Sequence, residues 1–158
     1  TQAAGYCLIA SAIRPNGNDK RRLISVVLGA ESDNMRTQES QKLLNWGFMN
    51  FQSFKIYSKN QAILTPVVWK GSKDQLRLGF NRDVFVSLPR GSTAKLKSVV
   101  QRTDPLIAPI PQYRPVGTLK VLADDKVISE LPLQALDQVN EATIFGRAWD
   151  SLRLMLPH

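Results

Sequence analysis

The sequence is short of the residues that most enzymes use at their centres. Among 158 residues there is one cysteine, Cys7, and one histidine, His158. A single cysteine excludes an internal disulfide and leaves the redox compartment undetermined. Cys7 sits in the apolar run Tyr6-Cys7-Leu8-Ile9-Ala10 and reads as a buried, inert thiol. Because that histidine is the last residue, neither a Ser/His/Asp triad nor a histidine-based metal cluster is expected from this chain alone. Nor does any apolar run approach the roughly 20 residues of a membrane-spanning helix. There is no internal repeat and no low-complexity tract.

What the chain has in excess is positive charge: 21 Lys and Arg against 13 Asp and Glu, a formal net charge of +8. A basic balance favours anionic partners such as nucleic acid, an anionic lipid surface or an acidic polymer. Lys20-Arg21-Arg22 is the densest cluster and lies at the end of a turn, where solvated side chains are expected. No aromatic pair, zinc spacing or basic recognition helix accompanies the charge, so nucleic acid is the weakest of the three partners.

The organising stretch runs from Leu23 to Phe51. Leu23–Leu28 is apolar except for Ser25, as expected of a strand covered on both faces. Helical spacing follows over residues 35 to 51, with Leu44, Phe48 and Phe51 on one side, and Trp46 and Phe48 read as core. Asn34 is the candidate N-cap, which puts Arg36 in the first turn. The helix macrodipole disfavours a cation there. Residues Tyr6–Ile13 and Arg22–Gly29 flank the turn Arg14-Pro-Asn-Gly-Asn-Asp19 and form an antiparallel hairpin.

Beyond Gln52 the pattern turns to short strands. Leu76, Leu78 and Phe80 alternate onto one face, and Asn81-Arg82-Asp83 turns that strand into Val84–Leu88 as a hairpin. Lys95–Arg102 reads as a strand with an exposed basic face. Four prolines between Asp104 and Pro115 mark an edge or crossover. Val116–Leu122 and Val127–Leu133 form a second hairpin, and the spacing of turns predicts a small β-sandwich. Helical spacing returns over residues 142–158, where Phe145, Trp149, Leu152, Met155 and Leu156 share a face, as in an amphipathic helix lying on a membrane surface. A helix docked on the β domain fits that spacing equally.

The order Ala3-Ala-Gly-Tyr-Cys-Leu-Ile-Ala-Ser11, Arg22-Leu-Ile-Ser-Val-Val-Leu-Gly29, Arg36 and Glu39-Ser-Gln-Lys-Leu-Leu-Asn-Trp-Gly-Phe48 resembles the D-alanyl-D-alanine carboxypeptidases of the low-molecular-mass, type-5 penicillin-binding proteins. Val67-Val-Trp69, Pro89-Arg-Gly91, Ala108-Pro109, Val116-Gly117 and Pro132-Leu133 fit that family's downstream domain. The resemblance implies an α/β plus all-β architecture. Residues 1–52 would be the C-terminal end of a penicillin-recognising, transpeptidase-like domain, 53–141 a β-sandwich and 142–158 a membrane-surface helix.

It implies a serine-type carboxypeptidase that removes the terminal D-alanine from peptidoglycan stem peptides through an acyl-enzyme and is acylated by β-lactam antibiotics. The implied location is periplasmic, peripheral on the anionic inner-membrane surface, and no cofactor is implied. The catalytic Ser-x-x-Lys, Ser-x-Asn and Lys-Thr-Gly motifs are expected in a missing N-terminal portion. This chain then holds no catalytic residue and is inactive alone. Arg36 matches the family arginine near the substrate's terminal carboxylate, and Thr1 closes the active-site strand. An alternative function is a non-enzymatic basic β-sandwich that positions partners at the membrane or on peptidoglycan.

Overall fold

The computed structural model describes residues 4–142. The expectations for Thr1 and for the membrane-facing residues Phe145, Trp149, Leu152, Met155 and Leu156 lie outside the described residues.

The chain divides into two compact units. One is the chain up to Phe54 together with Val86–Ser92; the other is Lys55–Phe85 and the chain from Thr93 onward. The first contains a long antiparallel hairpin of β1 (Tyr6–Asn16) and β2 (Asp19–Ala30), followed by helix α1 (Asp33–Asn50). The hairpin turn is tighter than the six polar residues suggest. Asn16 pairs with Asp19, leaving a two-residue turn in which Gly17 takes φ +63°. A positive φ at the first central residue matches the right-handed twist of the strands and costs glycine nothing.

Leu8, Ala10 and Ala12 of β1 and Leu23, Ser25 and Val27 of β2 lie on the covered side of the hairpin, and α1 packs against both strands. At Gly47 the helix approaches so closely that a Cβ would meet Leu23 Cδ1 at 2.8 Å. The opposite side of the hairpin is open: Ile9, Ile24, Val26 and Leu28 are all more than half exposed. The expectation of a strand covered on both faces is therefore wrong for this chain. Its apolar run has one face on α1 and, among the described residues of this unit, no covering element on the other. Cys7 is likewise exposed, not buried.

α1 starts at Ser32, whose hydroxyl accepts from Met35 N, so the N-cap is Ser32 rather than Asn34. Ser40 and Phe48 are its buried residues; Trp46 points outward and is 58% exposed, contrary to the core assignment. The buried Ser25 and Ser40 hydroxyls lie 2.6 Å apart. That bond accounts for the one polar residue of the Leu23–Leu28 run, because a buried hydroxyl is costly without a partner.

The described residues of the second unit hold β-strands and no α-helix. β5 (Leu78–Gly79), β10 (Lys126–Ala135), β9 (Pro115–Ala123) and β7 (Leu96–Arg102) form a four-stranded sheet in that order. β9 and β10 are the second hairpin expected from the sequence. β4 (Val68–Trp69) pairs in parallel with β8 (Leu106–Ile107), which lies in the proline-rich crossover. Leu76, Leu78, Leu119, Val121, Leu133 and Val139 are almost wholly buried. The alternation of Leu76, Leu78 and Phe80 is thus a true core face.

The expected hairpin between Gln75–Phe80 and Val84–Leu88 does not form. β5 pairs with β10, and β6 (Val84–Pro89) pairs with β3 (Phe51–Tyr57). β3 follows α1 without a loop, because Phe51 already has extended dihedrals at the helix C-cap.

Candidate functional site

The residues that meet around the start of α1 come from two elements of the first unit. Arg36 lies one turn into the helix. Its side chain bridges to the beginning of β1, where Nη1 donates to Cys7 O at 2.8 Å and the guanidinium stands 5.8 Å from the centre of the Tyr6 ring. Nη2 forms an ion pair with Oδ1 of Asp33. The alternative pairing with Glu39 is not made, since Glu39 holds Lys42 at 2.7 Å. Asp33 accounts for how a cation is tolerated so near a helix N-terminus. The acid occupies the first turn, where the macrodipole favours it, and neutralises the arginine three residues on. Arg36 remains about a third exposed and Asp33 mostly so.

As letter patterns, Ser-x-x-Lys occurs in the chain at Ser92-Thr-Ala-Lys95 and Ser-x-Asn at both Ser32-Asp-Asn34 and Ser58-Lys-Asn60, against the expectation that it has neither. Their placements are structural. Ser32 caps α1 through its own hydroxyl. Ser58 lies in the turn after β3, where its N–H donates to Gln61 Oε1 at 2.9 Å. Ser92 belongs to the turn after β6, where its N–H donates to Pro89 O. Lys95 is in the other unit, and its N–H donates to Asp124 Oδ1 at 3.0 Å. The two patterns also run in the reverse of the family order. No Lys-Thr-Gly is present, and among the described residues no three His, Cys, Asp or Glu side chains are grouped as a metal site.

A second polar cluster, missed at the level of sequence, closes the other end of α1. Arg21 donates to Phe51 O at 2.6 Å and to Gly47 O at 3.3 Å. Arg90 donates to Met49 O at 2.9 Å and Phe48 O at 3.2 Å, and its backbone N–H reaches Asn50 O. Arg14 stacks over the Phe48 ring at 4.6 Å and donates to Asn45 Oδ1. Cations and N–H donors at a helix C-terminus satisfy carbonyls that have no partner inside the helix. Arg21 is therefore no solvated member of the Lys20-Arg21-Arg22 triplet. Burial, and next the neighbouring Arg90, lower its pKa from the ordinary arginine value. The same cluster explains Pro89-Arg90-Gly91: the turn after β6 exists to deliver Arg90 to the helix end.

In the second unit, a groove is lined by Phe80, Arg82, Asp83, Phe85, Leu131 and Gln134. Asp83 accepts from Lys59 N and pairs with Lys55, and these contacts hold its carboxyl below the usual carboxylate range. Asp137 is gripped in a two-point fork by Arg77 at 2.9 and 2.7 Å, which lowers its pKa in the same direction. The basic face of β7 is partly neutralised by Lys97 pairing with Asp125.

Residues 51–141 match the family described as penicillin-binding protein 5, C-terminal domain. The chain belongs to this family. Its similarity to known proteins also extends upstream of the matched residues. It is 40% identical over 151 residues to D-alanyl-D-alanine carboxypeptidase DacC of Escherichia coli, which covers 95% of this chain and 37% of that protein. It is 39% identical over 155 residues to D-alanyl-D-alanine carboxypeptidase DacA of Haemophilus influenzae, covering 98% and 39%. The structure of penicillin binding protein 5 from Haemophilus influenzae superposes with a TM-score of 0.71 at 36% identity, over 89% of this chain and 40% of that one. The chain thus spans about two fifths of the length of these relatives. The β-rich character of the downstream part, with α1 as the one helix among the described residues, agrees with the family.

Proposed function

We propose that this chain is the C-terminal portion of a serine-type D-Ala-D-Ala carboxypeptidase. In this reading a serine upstream attacks the carbonyl between the two terminal D-alanines of a peptidoglycan stem peptide. The terminal D-alanine leaves, and water hydrolyses the acyl-enzyme. β-Lactams acylate the same serine. The relatives' names support the reaction class, since they align with this chain along nearly its whole length. The domain limits would be 1–52, 53–141 and 142–158. The last segment would rest on an anionic inner-membrane surface and hold the protein in the periplasm.

The observation that carries the reading is the placement of Arg36. It is a partly exposed guanidinium, held to β1 by Cys7 O and shielded by Tyr6, on the element that follows the hairpin. A guanidinium can grip a carboxylate at two points, with stronger, charge-assisted bonds. In this role Arg36 receives the C-terminal carboxylate of the peptide, and Thr1, by the family resemblance, would line the same site. The chain supplies binding and orientation, while the nucleophile and its base come from upstream.

The test is penicillin labelling of the full-length protein followed by denaturing mass spectrometry, together with Arg36→Ala. A single adduct on the full-length protein, and none on the isolated 158 residues, is expected. Arg36→Ala should lower kcat/KM by about tenfold or more, the loss of one charge-assisted bond. An unchanged kcat/KM would remove Arg36 from the site. A full-length protein without an adduct would favour the second reading, a non-enzymatic module that positions partners at the membrane or on peptidoglycan. That reading draws on the second unit having a hydrophobic core of its own.

A further inference from the structure

Resting on the reading of Arg36 as the carboxylate-binding residue, we propose that Asp33 is a specificity-determining residue. Its carboxylate occupies the Arg36 guanidinium and competes with the C-terminal carboxylate of the incoming peptide. The argument starts from the guanidinium's geometry. Its N–H groups offer two forks to a carboxylate, one from Nη1 and Nη2 and one from Nε and Nη2. Both forks use Nη2, the atom paired with Asp33. Nη1 is held by Cys7 O at 2.8 Å, and the Tyr6 ring stands over the guanidinium. A peptide carboxylate seeking a two-point grip must therefore displace Asp33 or share Nη2 with it, and sharing places two like charges side by side.

The pair is built to exchange. Asp33 is 70% exposed, so releasing it to water costs little, and exposed ion pairs are individually weak. The helix macrodipole stabilises the freed Asp33 carboxylate where it stands, in the first turn of α1. With no substrate bound, Asp33 keeps the guanidinium neutralised and oriented towards β1. With substrate bound, the peptide carboxylate replaces it. The competition is with binding, so its effect belongs in KM rather than kcat.

The experiment uses the full-length protein with Asp33→Asn and Asp33→Ser, both of which keep a polar residue in the first turn. The substrate is an N-acylated peptide ending in D-Ala-D-Ala. Its C-terminal amide is measured as an inhibitor of the acid's hydrolysis. Both variants should lower KM for the acid about two- to fivefold, the scale of one exposed ion pair, with kcat unchanged and the inhibition constant of the amide unmoved. A KM that is unchanged or raised, or an equal shift for acid and amide, overturns the proposal. Arg36→Ala separates the two levels. If it lowers kcat/KM while Asp33→Asn leaves KM alone, only the role of Asp33 fails. If Arg36→Ala itself changes nothing, both fail.

Discussion

The two units handle their apolar residues in opposite ways. In the second, Leu76, Leu78, Leu119 and Leu133 have no exposed surface at all. In the first, Ile9 and Leu28 are each 73% exposed, Ile24 is 66% exposed, and Phe48 is the one hydrophobic side chain buried between Ala4 and Asn50. Both stretches are similarly apolar to read. The difference is that strands of the second unit find partners within it, whereas the hairpin of the first has α1 on one side and, among the described residues of that unit, no covering element on the other. Apolar composition alone therefore does not tell a finished core from half of one.

The comparison can be broken first by truncating one apolar side chain in each unit, buried in the second and exposed in the first. Leu119→Ala should cost about 2–5 kcal/mol, the range for a fully enclosed leucine. Ile24→Ala should change the stability of the 158-residue chain by no more than about 0.5 kcal/mol. Hydrogen exchange read separately over each unit during urea titration measures both. If, as the proposed function has it, an upstream catalytic portion covers the open hairpin face, Ile24→Ala becomes costly in the protein that includes that portion. Equal effects of Ile24→Ala in the two contexts would mean that no upstream element lies there.

Next in size is the serine pair that ties the hairpin to its helix. Ser25→Ala leaves the buried Ser40 hydroxyl without its partner and should destabilise the first unit by about 1–3 kcal/mol. The double variant Ser25→Ala, Ser40→Ala should cost less than the sum of the singles, a coupling that a double-mutant cycle reads directly.

The smallest effect sharpens the contrast from the side of the second unit. Asp137, held by Arg77, has a lowered pKa. Its contribution to stability is therefore complete above the unfolded-state carboxylate value of about 3.9 and is lost as pH falls through the lower folded value. Thermal melts of the second unit against pH should show this acid-side loss. The loss should be smaller in Asp137→Asn, and the ion pair's exposure keeps it small.

What could be read in the sequence followed the range of the interaction that decides it. The alternation of Leu76, Leu78 and Phe80, the β9–β10 hairpin and the existence of α1 are set by neighbours a few residues apart, and each is present. The strand Val84–Leu88 was also visible, but its pairing with β3 is long-range, and the turn at Asn81-Arg82-Asp83 gave a local reason to choose the wrong partner. The helix start slipped by two residues because Ser32, Asp33 and Asn34 are all able to cap, and only the bond from Met35 N selects Ser32. Trp46 looked like core because aromatic spacing is blind to which side of a helix another element covers. For the candidate site, Arg36 was conspicuous as a cation near a helix N-terminus. Its partner Asp33 was equally present in the sequence, three residues earlier. The arginines at the other end of α1 could not be found by proximity, since Arg21 and Arg90 are 69 positions apart along the chain.

The delivery of Arg90 to the end of α1 bears on how the downstream domain could be traded between relatives. A recombination junction at residue 51, where the match to the family's C-terminal domain begins, would leave the recipient with a helix whose final carbonyls expect a guanidinium, and the transplanted segment would have to bring it. A chimera is thus compatible only when its two parents agree on an arginine in the turn that follows β6, so inheritance of the two segments is linked through one side chain.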